Sequence, residues 1–206
     1  MDLLKSRPVW LAASTHPGEE DLASKAHGQA IKASHRLLLI LAPRHPERGP
    51  EIAQMLRERG WNVSIRSEGD AVEPSTQIYL ADTMGEMGLW YRLAPVTFLG
   101  GSLVEIGGHN PFEPAALGSA ILHGPHVASA AETYARLGEA NGALQVTSAA
   151  ELAHAIVDLL EPQRAAELAH AAWEVTSSGA GATDRALALI TQAIDDVEAA
   201  KLRQRK

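Results

Sequence analysis

The sequence predicts an α/β fold, a Rossmann-like doubly wound parallel sheet of about six strands with a helical C-terminus. Continuous apolar runs, typical of strands that are covered on both faces, alternate with longer helix-like segments. Short loops rich in Gly, Pro and polar residues join them. The 206 residues suffice for one domain with a full core and show no internal repeat. We therefore expect a single domain over residues 1–206.

The elements alternate as a βαβ fold requires. An acidic first turn favours the start of the first helix, Pro43 ends the second strand, and Gly60 ends the second helix. Strands are predicted at 7–14, 36–42, 62–66, 77–81, 96–99, 120–123 and 143–146. Helices are predicted at 18–34, 50–59, 84–92, 111–117, 130–137, 148–160, 162–177 and 183–202.

Composition excludes several classes of protein. The net charge of −7 disfavours a nucleic-acid binder, and the absence of cysteine excludes disulfides, thiolate catalysis and Cys-based metal sites. No apolar run approaches the roughly 20 residues that span a bilayer, and the N-terminus lacks a hydrophobic signal core, so we expect a soluble chain. The charged end at 201–206 is predicted to be a solvated tail.

The segment 107–114, Gly-Gly-His-Asn-Pro-Phe-Glu-Pro, is the most informative part of the sequence. Two glycines precede a helix start that carries Asn110, and Glu113 follows in the first turn. Such a turn offers N–H groups to a phosphate and an acid to ribose hydroxyls. The alternative is a Gly-rich turn with an ordinary helix cap. We expect a nucleotide or nucleotide-sugar site.

Other polar residues follow the predicted strands, where ligands bind in open α/β sheets. Helix caps, a solvated basic loop and tight turns are the alternatives to a binding role for them. The candidate binding residues at these strand ends are Ser14, Thr15, His16, Glu19, Arg44, His45, Gly85, Glu86, Met87, Gly101 and Ser102.

Two common kinds of site are disfavoured. His109, His123 and His126 match no common zinc spacing, so no metal is expected. The first strand is not followed by G-x-G-x-x-G, and there is no Walker A sequence. A conventional NAD domain or a P-loop NTPase is therefore disfavoured.

Five segments together resemble one family in order and spacing. They are Ala-Ser-Thr-His-Pro-Gly-Glu-Glu at 13–20, Ala-Pro-Arg-His-Pro-Glu-Arg at 42–48, Asp-Thr-Met-Gly-Glu-Met at 82–87, Phe-Leu-Gly-Gly-Ser at 98–102 and the segment at 107–114. The set resembles the C-terminal half of bacterial 3-deoxy-D-manno-octulosonic acid (Kdo) transferases. This resemblance covers nearly the whole chain and implies the donor-binding half of a GT-B glycosyltransferase, which moves Kdo from CMP-Kdo to the lipid A precursor in lipopolysaccharide synthesis.

The resemblance also implies roles for the candidate residues. Arg44 and His45 would lie near the cytidine and phosphate, with Glu113 at the ribose and Asn110 on the donor side. The turn at 85–87 would contact the nucleotide, and the loop after the first strand would face the interdomain cleft. CMP-Kdo is the donor substrate, and no cofactor is expected.

The resemblance places the acceptor site and the general base in an N-terminal domain that this sequence lacks. No catalytic residue is therefore expected in this chain, which we predict binds CMP or CMP-Kdo weakly and transfers nothing alone. The parent enzyme would act at the cytoplasmic side of the bacterial inner membrane. Two alternatives are another GT-B nucleotide-sugar transferase or epimerase domain, and a non-catalytic nucleotide-binding module.

Overall fold

The structure is a computed structural model that describes residues 7–177, 190 and 191. It contains a seven-stranded, wholly parallel sheet in the order β3-β4-β2-β1-β5-β6-β7. The strands are β1 (Val9–Thr15), β2 (Leu38–Pro43), β3 (Val63–Ile65), β4 (Ile78–Leu80), β5 (Val96–Leu99), β6 (Ala120–His123) and β7 (Ala143–Gln145). The helices are α1 (Glu19–Ala30), α2 (Gly49–Glu58), α3 (Met87–Leu93), α4 (Phe112–Ala116), α5 (Ala131–Glu139), α6 (Ala149–Asp158) and α7 (Pro162–Ser177).

Two apolar layers cover the faces of the sheet. Along β1, Trp10 and Ala12 join a layer built with α1, α2 and α6, whereas Leu11 and Ala13 join a layer built with α3, α4 and α5. Helix α7 contributes side chains to both layers. Because each central strand is buried on both faces, its sequence is continuously apolar instead of alternating. The doubly wound α/β fold predicted from the sequence is thus confirmed.

The boundaries of several elements differ from the prediction. The sheet has seven strands, one at each of the seven predicted positions, and the three-residue β7 pairs with β6 at the edge. Helix α1 ends at Ala30 because the next residues form tight hydrogen-bonded turns before β2. Helix α3 begins at Met87, three residues later than expected, because Gly85 has a φ of 83°, which is not helical, and Glu86 occupies the N-cap position. The predicted helix at 183–202, except for two of its residues, and the tail at 201–206 lie outside the described residues.

The parallel strands bring the loops after them to one edge of the sheet, called here the carboxyl edge. The loops that carry the predicted site follow β4, β2, β1 and β5, four adjacent strands at the centre of the sheet. Within the described ranges, no helix is both long enough and apolar enough to cross a bilayer.

Candidate functional site

Glu19 joins the two central loops of the carboxyl edge. Its side chain is fully buried, and its carboxylate accepts hydrogen bonds from four main-chain N–H groups. One belongs to His16 in the loop after β1, at 2.9 Å. The others belong to the consecutive residues after β5, Gly101 at 2.6 Å, Ser102 at 3.1 Å and Leu103 at 3.0 Å. The sequence suggested a ligand contact for Glu19, but its burial and its four donors give it a positioning role instead.

Thr15 and Ser102 are also fully buried. The Ser102 hydroxyl donates to the carbonyl of Leu99 and accepts the N–H of Gly124 at 2.8 Å, so it joins the ends of β5 and β6. The Thr15 hydroxyl has no hydrogen-bond partner among the described residues. Neither side chain is placed to touch a ligand at the surface, in contrast to the expectation from the sequence.

Ser14 adopts an unusual backbone conformation, with a φ of 54°, where the pairing of β1 with β2 shifts register. A Cβ on Gly100 would lie 2.4 Å from the Ser14 carbonyl oxygen, so the glycine permits this close approach. The bulge leaves the Ser14 side chain partly exposed at the carboxyl edge, where the sequence predicted it.

Three histidines form a cluster above β1, β2 and β5. The Nε2 atoms of His16 and His109 lie 3.0 Å apart, and their rings are nearly parallel at 12°. The His45 ring stands edge-on to His16 at a centroid distance of 5.9 Å. A Cβ on Gly101 would lie 3.4 Å from both rings of the pair, so the absence of a side chain there makes room for it. Across the described chain, no group of three or more His, Asp or Glu side chains is arranged to hold a metal ion.

The surroundings of His16 and His109 favour the neutral form of both imidazole rings. Burial lowers the pKa of both side chains, and the opposing ring or the nearby Arg44 adds to the effect. One Nε2 must carry the proton that the other accepts. His109 was considered from the sequence only as a metal candidate. The position of His109 inside the 107–114 segment is the signal that could have identified it as a site residue. Its contact with His16, 93 residues earlier in the chain, cannot be predicted from the spacing of residues in the sequence.

Arginines at the carboxyl edge differ in their partners. Nη1 of Arg48 lies 2.8 Å from Oε1 of Glu20, a carboxylate that is only 2% exposed. Arg66 grips Glu86 through two hydrogen bonds of 3.0 and 2.7 Å. Arg44 is exposed and is held through its main-chain N–H, which donates to the Thr15 carbonyl at 3.0 Å. Its guanidinium has no hydrogen bond or ion pair with the residues that the structure describes.

Glu86 is the residue directly before α3, and its carboxylate is bound by neighbouring side chains. Hydrogen bonds from Arg66 and then from the Thr83 hydroxyl lower the pKa of Glu86 to about 2. The carboxylate therefore holds the turn in place, and the main chain of Gly85 and Met87 is the part of this segment that stays available to a ligand. The sequence predicted the location of Glu86 but not its ion pair.

Glu113 and Asn110 have separate tasks in the loop before α4. The Asn110 side-chain oxygen accepts the N–H of Phe112 at 3.0 Å and so stabilises the start of the helix. Glu113 is exposed, and its Oε1 would lie 3.8 Å from a Cβ on Gly88 in the first turn of α3. The carboxylate thus lies where the first turn of α4 meets the first turn of α3, next to the turn at 85–87.

The loop that carries Glu113 is anchored from both sides. The Tyr134 hydroxyl on α5 donates to the His109 carbonyl at 2.7 Å, and the Gly108 N–H donates to the Gly101 carbonyl at 2.7 Å. Gly107 and Gly108 have φ values of 103° and 74°, which favour glycine. These contacts hold the exposed Glu113 against the central loops.

The chain is similar to a solved domain with the same fold. The C-terminal CMP-Kdo binding domain of WaaA from Acinetobacter baumannii is 35% identical, with a TM-score of 0.79 over 84% of this chain and 90% of that domain. The chain belongs to the Kdo transferase family, as a C-terminal domain. This confirms the family that the five segments resemble, and the Kdo transferase domain described here has the GT-B-like fold expected from it.

Other comparisons define how far the similarity extends. The 3-deoxy-D-manno-octulosonic acid transferase of Haemophilus influenzae is 39% identical over 188 residues, which are 90% of this chain and 44% of that protein. The chain thus spans less than half the length of this curated relative. Anabaena HepE, solved with UDP and glucose, has a TM-score of 0.62 at 12% identity, which shows the fold alone. No protein-family model matches the chain.

Proposed function

We propose that this Kdo transferase domain binds the donor CMP-Kdo for transfer of Kdo to the lipid A precursor. The observation that carries the proposal is the solved relative, a CMP-Kdo binding domain that this chain covers almost completely. The carboxyl edge supports it, because an exposed guanidinium at Arg44, after β2, and an exposed carboxylate at Glu113, after β5, lie on either side of the loop that follows the central strand β1. A nucleotide ester of an acidic sugar presents hydroxyls and anions, which these two groups complement.

The exposure and the positions of the site residues support one binding mode. Glu113 accepts hydrogen bonds from the ribose hydroxyls, and the turn at 85–87, beside Glu113, contacts the nucleotide. Arg44, with His16 and His45, faces the anionic part of the donor. Asn110 shapes the loop through its bond to Phe112. Four further residues hold the loops that carry these groups and do not contact the donor themselves. They are Glu19, Thr15, Ser102 and Glu86.

The proposed reaction is an exchange of one bond at the anomeric carbon of Kdo. A hydroxyl oxygen of the acceptor forms the new bond, the bond to the phosphate oxygen breaks, and CMP leaves with the electron pair. The hydroxyl proton goes to a general base that we place outside this chain, in an acceptor domain. We therefore expect these 206 residues to bind the donor without transferring it, and the complete enzyme to work at the inner membrane.

Replacing Glu113 with Ala tests the proposal. We expect the affinity for CMP, measured by isothermal titration calorimetry, to fall about 10-fold or more, because hydrogen bonds to a charged group are lost. Glu139→Ala is the matched control, since Glu139 is exposed at the end of α5, away from the carboxyl edge. Equal affinity of the Glu113→Ala variant and the native chain would remove Glu113 from the ribose role.

The choice of nucleotide is tested separately. CMP, UMP and UDP are titrated against the native chain under the same conditions, and CMP is expected to bind most tightly. Tighter binding of UDP would point to a different nucleotide-sugar enzyme. A folded chain that binds none of the three would refute donor binding altogether.

A further inference from the structure

Arg44 stands out among the arginines of the carboxyl edge because its charge is not neutralised within the described structure. Arg48 is paired with Glu20, and Arg66 is paired with Glu86 in a two-bond arrangement. The charges of those two arginines are therefore neutralised by ion pairs that hold loops in place. Arg44 is fixed by its main chain alone, and its guanidinium is left for a ligand.

The carboxylates beside the histidine cluster already have partners. Glu19 accepts four main-chain N–H groups, and Glu20 accepts Arg48. Glu47 is 73% exposed and lies 3.4 Å from Nδ1 of His45, so it faces solvent beside the cluster. Arg44 directly precedes His45, and its main-chain N–H donates to the carbonyl of Thr15, the residue before His16, so its exposed side chain starts beside the histidine cluster. The carboxyl edge therefore presents the cation of Arg44 next to the histidine rings.

The sugar that the relatives transfer is, by name, an octulosonic acid. Its nucleotide ester carries a phosphate, which every nucleotide sugar has, and a carboxylate, which neutral sugars lack. A guanidinium matches a carboxylate with two parallel N–H bonds, a geometry that an ammonium group does not offer. The guanidinium of Arg44 can thus bind the carboxylate, which distinguishes this donor from the nucleotide ester of a neutral sugar.

We propose that Arg44, flanked by His16 and His45, binds the carboxylate of the donor's sugar and thereby selects an acidic sugar over a neutral one. The inference rests on the proposed function, since it needs the nucleotide to be bound beside Glu113. It assigns the two anions of the donor to different groups. The phosphate lies toward the nucleotide side of the site, and the carboxylate lies over the histidine cluster.

The test compares two ligands that differ by the acidic sugar. Freshly prepared CMP-Kdo and CMP are titrated by calorimetry into the native 206-residue chain and into Arg44→Gln. We expect Arg44→Gln to lower the affinity for CMP-Kdo about 10- to 100-fold, the range for losing a hydrogen-bonded charge. The affinity for CMP should change by less than about threefold, because CMP lacks the carboxylate.

Two further variants sharpen the result. Arg44→Lys keeps the charge but loses the planar guanidinium, so its affinity for CMP-Kdo should lie between those of the native chain and Arg44→Gln. Arg57→Gln removes an exposed arginine near the end of α2, at the opposite edge of the sheet, and should leave both affinities unchanged. Thermal unfolding verifies that each variant is folded.

The outcomes separate this inference from the proposed function. Equal losses for CMP and CMP-Kdo in Arg44→Gln would assign Arg44 to the phosphate and overturn the carboxylate role, while donor binding would stand. An Arg44→Gln variant with native affinity for both ligands would overturn it as well. A native chain that binds neither ligand would refute the proposed function and this inference with it.

Discussion

At the scale of single residues, one buried carboxylate sets the geometry of the candidate site. Glu19 takes hydrogen bonds from both the loop after β1 and the loop after β5, and so positions His16 and Gly101. His16 meets His109 against that glycine, which has no side chain to keep the rings apart. Glu19 therefore supports the contact between the two histidine rings through main-chain hydrogen bonds, and not through the rings themselves.

Glu19→Gln is expected to lower the free energy of unfolding by about 2 to 4 kcal/mol, because an amide accepts fewer N–H groups and turns two donors toward them. Urea denaturation measures the loss, and Glu68→Gln, in an exposed turn, serves as the control. Amide hydrogen exchange should accelerate at residues 101–103. Native protection of those amides in the variant would contradict the positioning role.

The sequence could predict where Glu19 lies but not what it does. An acid in the first turn of a helix looks the same whether it favours the dipole, contacts a ligand or holds another loop. The partners that decide among these roles are 82 to 84 residues away in the chain. The same holds for Glu86, whose partner Arg66 lies 20 residues earlier. Arg44 and Glu113, by contrast, are exposed at the predicted strand ends, and their availability agrees with the sequence pattern.

At the scale of elements, the loops after β5 and β6 touch at a glycine. A Cβ on Gly124 would lie 2.1 Å from the carbonyl oxygen of Ser102, a distance at which the backbone must move. The Gly124 N–H also donates to the Ser102 hydroxyl. The two strand ends are therefore joined through main-chain contact, and the fit leaves no space for a methyl group.

Two Gly→Ala substitutions should have opposite effects. Gly124→Ala is expected to lower the free energy of unfolding by about 1 to 3 kcal/mol, the usual cost of overpacking. Gly138→Ala lies on α5 with nothing within 4 Å of the added Cβ and should raise it by about 0.5 to 1 kcal/mol. Thermal or urea unfolding measures both. Similar small effects from the two substitutions would show that the loops after β5 and β6 move apart freely.

Element types were more predictable than element ends. Strands β1 and β2 are continuous apolar runs because both their faces are buried, and they occur where the sequence places them. The start of α3 was not predicted, since it depends on the positive φ of Gly85 and on the non-helical backbone of Glu86, and a helix-forming composition does not show either.

At the scale of the whole molecule, a buried histidine makes stability depend on pH. His27 is fully buried between Trp10 and Trp61, and Trp10 Nε1 donates to its Nδ1 at 3.2 Å. Burial lowers the pKa of His27 to about 4, from 6.5 in the unfolded chain. A proton therefore binds the unfolded state first as the pH falls. The stabilisation from the neutral ring is complete above pH 6.5 and is lost as the pH falls through 4.

The expected loss between pH 7 and pH 4.5 is about 2 to 3 kcal/mol from His27 alone. Urea unfolding at both pH values is compared for the native chain and for His27→Asn, whose side-chain oxygen can still accept the Trp10 N–H but does not titrate. The difference between the two proteins isolates His27 from the other histidines. A variant that loses as much stability as the native chain over this range would contradict the assignment.

The strand order also has a consequence for folding during synthesis. The ribosome completes β1 to β4, one half of the sheet, before Val96 begins the strand that covers the other side of β1. Until then β1, the central strand of the finished sheet, is an edge strand with a free row of N–H and C=O groups. Such an edge pairs readily with another chain. Translation that pauses before β5 therefore exposes this protein to aggregation through the strand that later becomes its centre.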